Sequence, residues 1–407
     1  MSRPTHPFPV QGAGGRGKGL PRRPSAPSGS GKREAGNVRP STLPFPIPPS
    51  PFPEKRSFQL LGDRKRGTKF VELPVKSVIN SPESTRMDFW SLNPYVGCEF
   101  GCSYCYARYA HRYVVERARD GGRITEREFA DLGSPSGLEP FEHRIFIKER
   151  EAVLAALGRD LPRIRRRTMR DGPQSIIIGS ATDPYQPAER QYQVTRAVLA
   201  RLRGERGFRI GVITKSPLVT RDITLLRDLA RRHWVSVYIS IISMDVRVVK
   251  LFEARSPMPH ARLRALGQLV RGGVRAGLIV APILPGITDT LQQIEALLRA
   301  ARDAGANFIA PIPLRLYPDV QRRFLPIVER HFPQLARRYR VAYDRTWDAP
   351  DKYAAAVKRR FQRVAERYGI QDDAEQGQPA TGAMSRAAQL NLFDGWPGNV
   401  ARGKARC

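Results

Sequence analysis

Residues 175–216 read SIIIGSATDPYQPAERQYQVTRAVLARLRGERGFRIGVITKS. SIIIGS (175–180) is an apolar run of strand length, ERQYQVTRAVLARLR (189–203) spaces its apolar residues at helical intervals, and RIGVITKS (209–216) is again of strand length. Two strands joined through a helix lie parallel, connected by a right-handed crossover. The unit repeats: WVSVYISII (234–242), RAGLIVAPIL (275–284) and ANFIAPIPL (306–314) read as further buried parallel strands. Between them TRDITLLRDLARR, HARLRALGQLVRGG and DTLQQIEALLRAARDAG read as helices, with Asp222 and Thr288 in N-cap regions and Gly272 and Gly305 as C-terminal stops. The pattern predicts an α/β fold, either an open doubly wound sheet or a full or partial barrel. In each, chemistry belongs at the carboxyl ends of the strands.

Outward from this core the composition changes. Residues 1–65 are crowded with Pro, Gly, Ser and Arg and show no apolar period, which predicts a disordered basic leader. FVELPVKSVI opens a core expected over 66–345; DVQRRFLPIVERHF and DKYAAAVKRRFQRVAERYG add helices, the second lying within a C-terminal helix placed at 346–370. Residues 371–407 turn polar and predict a flexible tail. The first 19 residues hold no apolar stretch of signal-peptide length, and no run approaches the length of a bilayer span, so a cytoplasmic location without membrane contact is expected. A formal charge of +31 suits a polyanion such as DNA or RNA, RIRRRTMR (163–170) being its densest run. The same Arg, Ala, Gly and Pro bias also arises from codon composition, with arginines on solvated helix faces.

Of the 4 cysteines, three stand together in Asn93-Pro-Tyr-Val-Gly-Cys98-Glu-Phe-Gly-Cys102-Ser-Tyr-Cys105-Tyr-Ala-Arg. This is a metal-site distribution and not a disulfide framework, and it points to a reducing compartment. Three thiolates on a short loop can hold three irons of a four-iron cluster and leave the fourth free to bind a small molecule. Gly97 and Gly101 suit a backbone that must wrap closely. The alternatives are a zinc site with His111 as fourth ligand, or three buried core cysteines.

With these residues in view, CxxxCxYC ahead of a chain of βα units resembles the radical S-adenosylmethionine (SAM) superfamily, and CEFGCSYCYARY is similar to its spore photoproduct lyase-like branch. The resemblance covers roughly 93–316. It implies a partial (β/α)6 TIM-type barrel, a [4Fe-4S] cluster on Cys98, Cys102 and Cys105, and SAM cleaved reductively to a 5′-deoxyadenosyl radical that abstracts a hydrogen atom. It further implies that Thr182 and Asp183 hold the SAM amino group and ribose and that Lys215 meets the carboxylate. Ser240 and Ser243 would contact the ribose, and Arg255 would be a second cation for the carboxylate. An electron donor such as a flavodoxin or ferredoxin follows. Strand-end polar residues also cap helices, so each has a bland alternative. The lyases place a hydrogen-donating cysteine where this chain has Ala181; Tyr104 and Tyr106 are the remaining candidates for a hydrogen relay, or else pack beside the cluster.

In the tail, Gln389-Leu-Asn-Leu-Phe393 resembles the pentapeptide by which bacterial DNA-processing enzymes dock on the sliding clamp. Leu390, Leu392 and Phe393 would be the apolar anchors and Gln389 the directional hydrogen-bonding group. The sequence therefore predicts a radical SAM enzyme acting on DNA or another nucleic acid. Two other readings stand beside it: a radical SAM enzyme on a small molecule or peptide, and a non-catalytic metal-bearing nucleic-acid-binding protein.

Overall fold

The computed structural model describes residues 60–373, apart from 64–67, 86, 123–124, 128 and 130–139. The Gln389–Phe393 motif and residues 1–59 of the leader lie outside the described residues.

The main sheet contains β3 (Ile79–Asn80), β4 (Trp90–Leu92), β7 (Ser175–Ile178), β8 (Arg209–Thr214), β9 (Trp234–Ser240), β10 (Ala276–Ile283), β11 (Phe308–Pro313) and β12 (Gln371–Asp372). From β4 to β12 its members are parallel and adjacent in chain order, and only β3 is antiparallel, on the outer edge of β4. A doubly wound sheet reverses its strand order at a switch point. This one never does, and β3 and β12 remain its two unjoined ends, so the fold is the partial barrel.

The strands read as unbroken apolar runs because both faces are covered. Val237, Ile239, Leu278, Val280 and Ile309 belong to the large core that includes helix residues such as Leu226, Leu266 and Leu298. Their neighbours Tyr238, Ile279, Phe308 and Ala310 form a separate interior cluster with Ile213, Ala281 and Ile312. At the amino-terminal end of the strands a polar group closes the interior. The Tyr238 hydroxyl donates to Asp373 Oδ2 at 2.7 Å, and Arg275 donates to Ser236 Oγ at 2.6 Å and to Asp373 Oδ1 at 3.2 Å. Residues 371–373 are thus part of the barrel, and the predicted tail boundary at 371 falls too early.

Other boundaries also move. The predicted helix 189–203 is broken at Gln193, which takes φ +50°, leaving Glu189–Tyr192 and Val194–Leu202. The helix Leu291–Asp303 is capped by Thr290, whose hydroxyl accepts from the Gln293 N–H, and not by Thr288, which accepts from the Leu284 N–H at 2.8 Å. The C-terminal helix is Asp351–Arg367. Leu60–Asp63, within the predicted leader, is β1 of an unanticipated second sheet with β2 (Lys69–Leu73), β6 (Arg144–Lys148) and β5 (Tyr95–Val96) in the order β1-β2-β6-β5. Its last strand ends two residues before Cys98, so it anchors the cysteine loop.

The run RIRRRTMR lies on the helix Arg150–Asp171, whose carboxyl end leads into β7. Arg163 and Arg167 sit over the ring of Trp90, the first residue of β4, at 5.2 and 5.8 Å. This basic run therefore occupies the amino-terminal end of the barrel. Among the described residues no helix is long and apolar enough to cross a membrane.

Candidate active site

The carboxyl ends of the strands surround a cavity of 470 Å³, within the range of small-molecule and cofactor sites. Cys98, Cys102 and Cys105 line it together with Thr182, Asp183, Lys215 and Ser240. Tyr104, Tyr106 and Ala181 also face it. Ser243 and Arg255 do not line it. The Ser243 hydroxyl engages Gln293 Oε1 at 3.2 Å and the Asp245 N–H at 2.9 Å, and Arg255 reaches the Glu142 carbonyl at 3.5 Å.

The cysteine loop is held by backbone contacts that its sequence makes possible. Gly97 has φ +88°, and a Cβ there would lie 2.8 Å from the Phe141 carbonyl oxygen and 3.0 Å from that of Arg144. The Cys98 N–H donates to the same Phe141 oxygen at 3.0 Å, and the Ser103 N–H donates to the Phe252 carbonyl at 2.9 Å. Arg108, buried against Glu142 at 2.7 Å, donates to the carbonyls of Gly101 and Cys102 at 3.2 Å each. On the far side Thr182 donates to the Gly97 carbonyl at 2.6 Å, and Gln186 donates to the same carbonyl at 3.2 Å. Gln186 Oε1 also accepts from the Glu99 N–H at 2.9 Å. Thr182 thus ties the loop to the segment after β7.

Asp183 joins two strand ends. Its Oδ1 accepts from the Thr214 hydroxyl at 2.7 Å and the Tyr185 N–H at 2.9 Å, and its Oδ2 accepts from the Lys215 N–H at 2.7 Å. Burial pushes this carboxyl up despite those donors. Burial alone would lower Lys215, but Cys102 in its thiolate form together with the Glu253 and Asp183 carboxylates outweighs it and holds the ammonium up.

Glu253 and Arg262 are absent from the sequence-based site. Glu253 is fully buried, ion-paired with Arg262, hydrogen-bonded by the Tyr104 hydroxyl and 3.9 Å from Lys215 Nζ. Arg262 also donates to the Ser240 carbonyl at 2.7 Å, which fixes the end of β9. Burial opposes ionisation of Glu253, and the two cations with the tyrosine bond prevail, so its carboxyl stays below the usual range. Only the pairing of FEARSP with an arginine in the following helix hinted at this group. Tyr106 donates to the Ser180 carbonyl, beside Ala181.

The three cysteines are free, and burial pushes each thiol up, Cys102 to about 11. Among the described residues no three His, Cys, Asp or Glu side chains converge on a single ion. A cubane cluster takes each thiolate on a different iron, so its ligands stand apart. His111 is turned away: its Nε2 lies 3.0 Å from the Arg144 carbonyl and its ring packs on Phe146 at 5.0 Å. The zinc arrangement with His111 is therefore not formed. The buried Ser240 hydroxyl has no hydrogen-bond partner among the described residues and its residue lines the cavity, as suits a contact with an added polar ligand.

A model of the radical SAM superfamily matches residues 92–301, 210 of the 407. The chain belongs to the radical SAM superfamily. This radical SAM protein is similar to an uncharacterized protein of Mycobacterium tuberculosis, 28% identical over 329 residues, or 80% of this chain and 89% of the relative. An uncharacterized protein of Methanocaldococcus jannaschii is 24% identical over 221 residues, 54% of this chain and 70% of the relative. Among solved structures, spore photoproduct lyase complexed with dinucleoside spore photoproduct superposes with a TM-score of 0.52 at 15% identity, over 74% of this chain and 81% of that chain; this likeness establishes the fold. The cofactors of a radical SAM protein are a [4Fe-4S] cluster and SAM, and the free thiols beside the orphaned Ser240 hydroxyl fit that pair. Bound together, they supply an electron from the cluster for reductive cleavage of SAM.

Proposed function

We propose that this radical SAM enzyme abstracts a hydrogen atom from a nucleic-acid substrate. The observation that carries the radical chemistry is the gathering of Cys98, Cys102 and Cys105 with Asp183, Lys215 and Ser240 around one cavity. The cysteines would ligate the cluster. Lys215, kept charged by its neighbours, would meet the SAM carboxylate; Thr182 and Asp183 would orient the amino group, and Ser240 the ribose. Phe141, Ile279 and Ile312 line the cavity and would limit water around the reacting carbon. Tyr106, beside Ala181, is the hydrogen donor within reach of the cavity.

The net charge of +31 supports the nucleic-acid substrate. A sliding-clamp contact through Gln389, Leu390, Leu392 and Phe393 would deliver the enzyme to DNA, and a flavodoxin or ferredoxin would supply electrons. One observation favours a small-molecule or peptide substrate: the cavity lining mixes Asp348, Asp351, Asp372 and Asp373 with Lys215, Arg315 and Lys358, and Asp348 is paired with Arg315 at 2.9 Å, a mixed lining that suits a small zwitterion.

Anaerobic incubation with SAM and dithionite, with and without duplex or ultraviolet-damaged DNA, tests the proposal. We expect 5′-deoxyadenosine, formed faster with nucleic acid. An intact cluster that yields none leaves a metal-bearing binding protein. A yield indifferent to every nucleic acid leaves the small-molecule reading.

A further inference from the structure

The barrel end opposite the cavity carries a groove lined by Arg203, Arg231 and Arg232, with Gly204, Ala200 and Asp228. The arginines sit where the helices Val194–Leu202 and Ile223–Ala230 end before β8 and β9. All three are exposed, and among the described residues none forms an ion pair. The Arg232 guanidinium leans on the Arg203 carbonyl at 3.3 Å, and the Gly207 N–H donates to the Arg232 carbonyl at 2.9 Å, which ties the two walls together.

Further positive charge stands at the same end of the barrel. Arg166 and Arg206 are exposed there without ion pairs among the described residues, and Arg165 reaches Glu205 only at 3.8 Å. Trp234, the first residue of β9, is 36% exposed at this end, with the Arg275 guanidinium over its ring at 5.3 Å. Part of this placement is ordinary, since cations at helix carboxyl ends offset the helix dipole. That effect places arginines singly. It does not require two helix ends to turn three guanidiniums into one concavity with a single carboxylate.

We propose that this groove is a nucleic-acid backbone site, separate from the catalytic cavity, in which Arg203, Arg231 and Arg232 contact successive phosphates. Arginine forks match phosphate oxygens in pairs, and the groove contains no lysine. The Trp234 indole, two residues beyond Arg232 and covered by Arg275 on one side, adds a partly exposed surface on which an unpaired base can stack. The site goes beyond the proposed substrate: it holds nucleic acid at the end of the barrel where the radical chemistry does not occur, so it anchors the enzyme and leaves the cavity free.

The test uses the full chain and labelled duplex DNA of mixed sequence, titrated at several salt concentrations. Arg203→Glu/Arg231→Glu/Arg232→Glu is compared with a control of equal charge change, Arg299→Glu/Arg359→Glu/Arg363→Glu, on exposed arginines of other helices. We expect the groove variant to bind roughly tenfold or more weakly, with a salt slope shallower by about three. The control should weaken binding less than about threefold. Single Arg231→Gln and Arg232→Gln variants guard against misfolding, and each should lower the slope by about one. Equal loss in groove and control variants, an unchanged slope, or displacement of DNA by polyglutamate at equal charge would overturn the site. Formation of 5′-deoxyadenosine without DNA should be the same in all variants. If DNA never stimulates that reaction, the substrate reading fails while the groove stands or falls on binding alone.

Discussion

Gly97 holds its backbone at φ +88° with two carbonyl oxygens within 3.0 Å of where a Cβ would stand. Gly97→Ala must shift the chain between Val96 and Cys98, and we expect it to lower iron and sulfide per protein by half or more after anaerobic reconstitution. His111 gives a prediction of different kind. Burial lowers its pKa to about 4, whereas an unfolded histidine titrates near 6.5. The unfolded chain therefore binds the extra proton between these values, and stability that is complete above pH 6.5 is lost as pH falls through about 4. His111→Gln should flatten denaturant midpoints over that window and leave those above pH 7 nearly parallel to wild type. At this scale the sequence revealed the cysteines, because their spacing is local. It concealed Glu253 and Arg262, since charged residues on helix-like stretches read as solvated until packing buries both.

The strand ends are where elements become a site. Asp183 follows β7 and Lys215 follows β8, and the Asp183 carboxylate accepting the Lys215 N–H at 2.7 Å locks one strand end to the next. Lys215→Met should raise the dissociation constant for SAM by about tenfold in calorimetry, with thermal stability little changed, because its ion pair is long. Asp183→Asn should weaken SAM binding and also lower the unfolding midpoint, since it loosens both strand ends. Equal SAM affinity in both variants would remove these residues from the cofactor site. The five strands from Ser175 onward were legible as apolar runs. β4 was not, being three residues long, and β6 was hidden because RIFIK gains meaning only through parallel pairing with Lys69–Leu73. Ser243 and Arg255 looked equivalent to Ser240 in sequence. A bend after Ser240 turns the Ser243 hydroxyl to Gln293 and leaves Arg255 beside Glu142.

For the molecule as a whole, the last described residues close the barrel from a distance. Asp373 accepts from Tyr238 and Arg275, on β9 and just before β10, so chain that reads as polar tail forms part of the barrel floor. Asp373→Ala removes the acceptor that Tyr238 and Arg275 share and should lower the melting temperature by about 3–6 °C in differential scanning calorimetry. The sequence by itself determined the repeated βα units, the three-cysteine loop and the positive charge, because apolar period, cysteine spacing and composition are local or additive properties. Only the tertiary structure decided that the sheet keeps chain order and rolls into a partial barrel, and that Asp183, Lys215, Ser240 and the three thiols share one cavity. It also placed arginines from two helix ends in one groove at the opposite pole. Each of these depends on which distant segments pair and which faces they bury, and such non-local contacts leave no period in the chain.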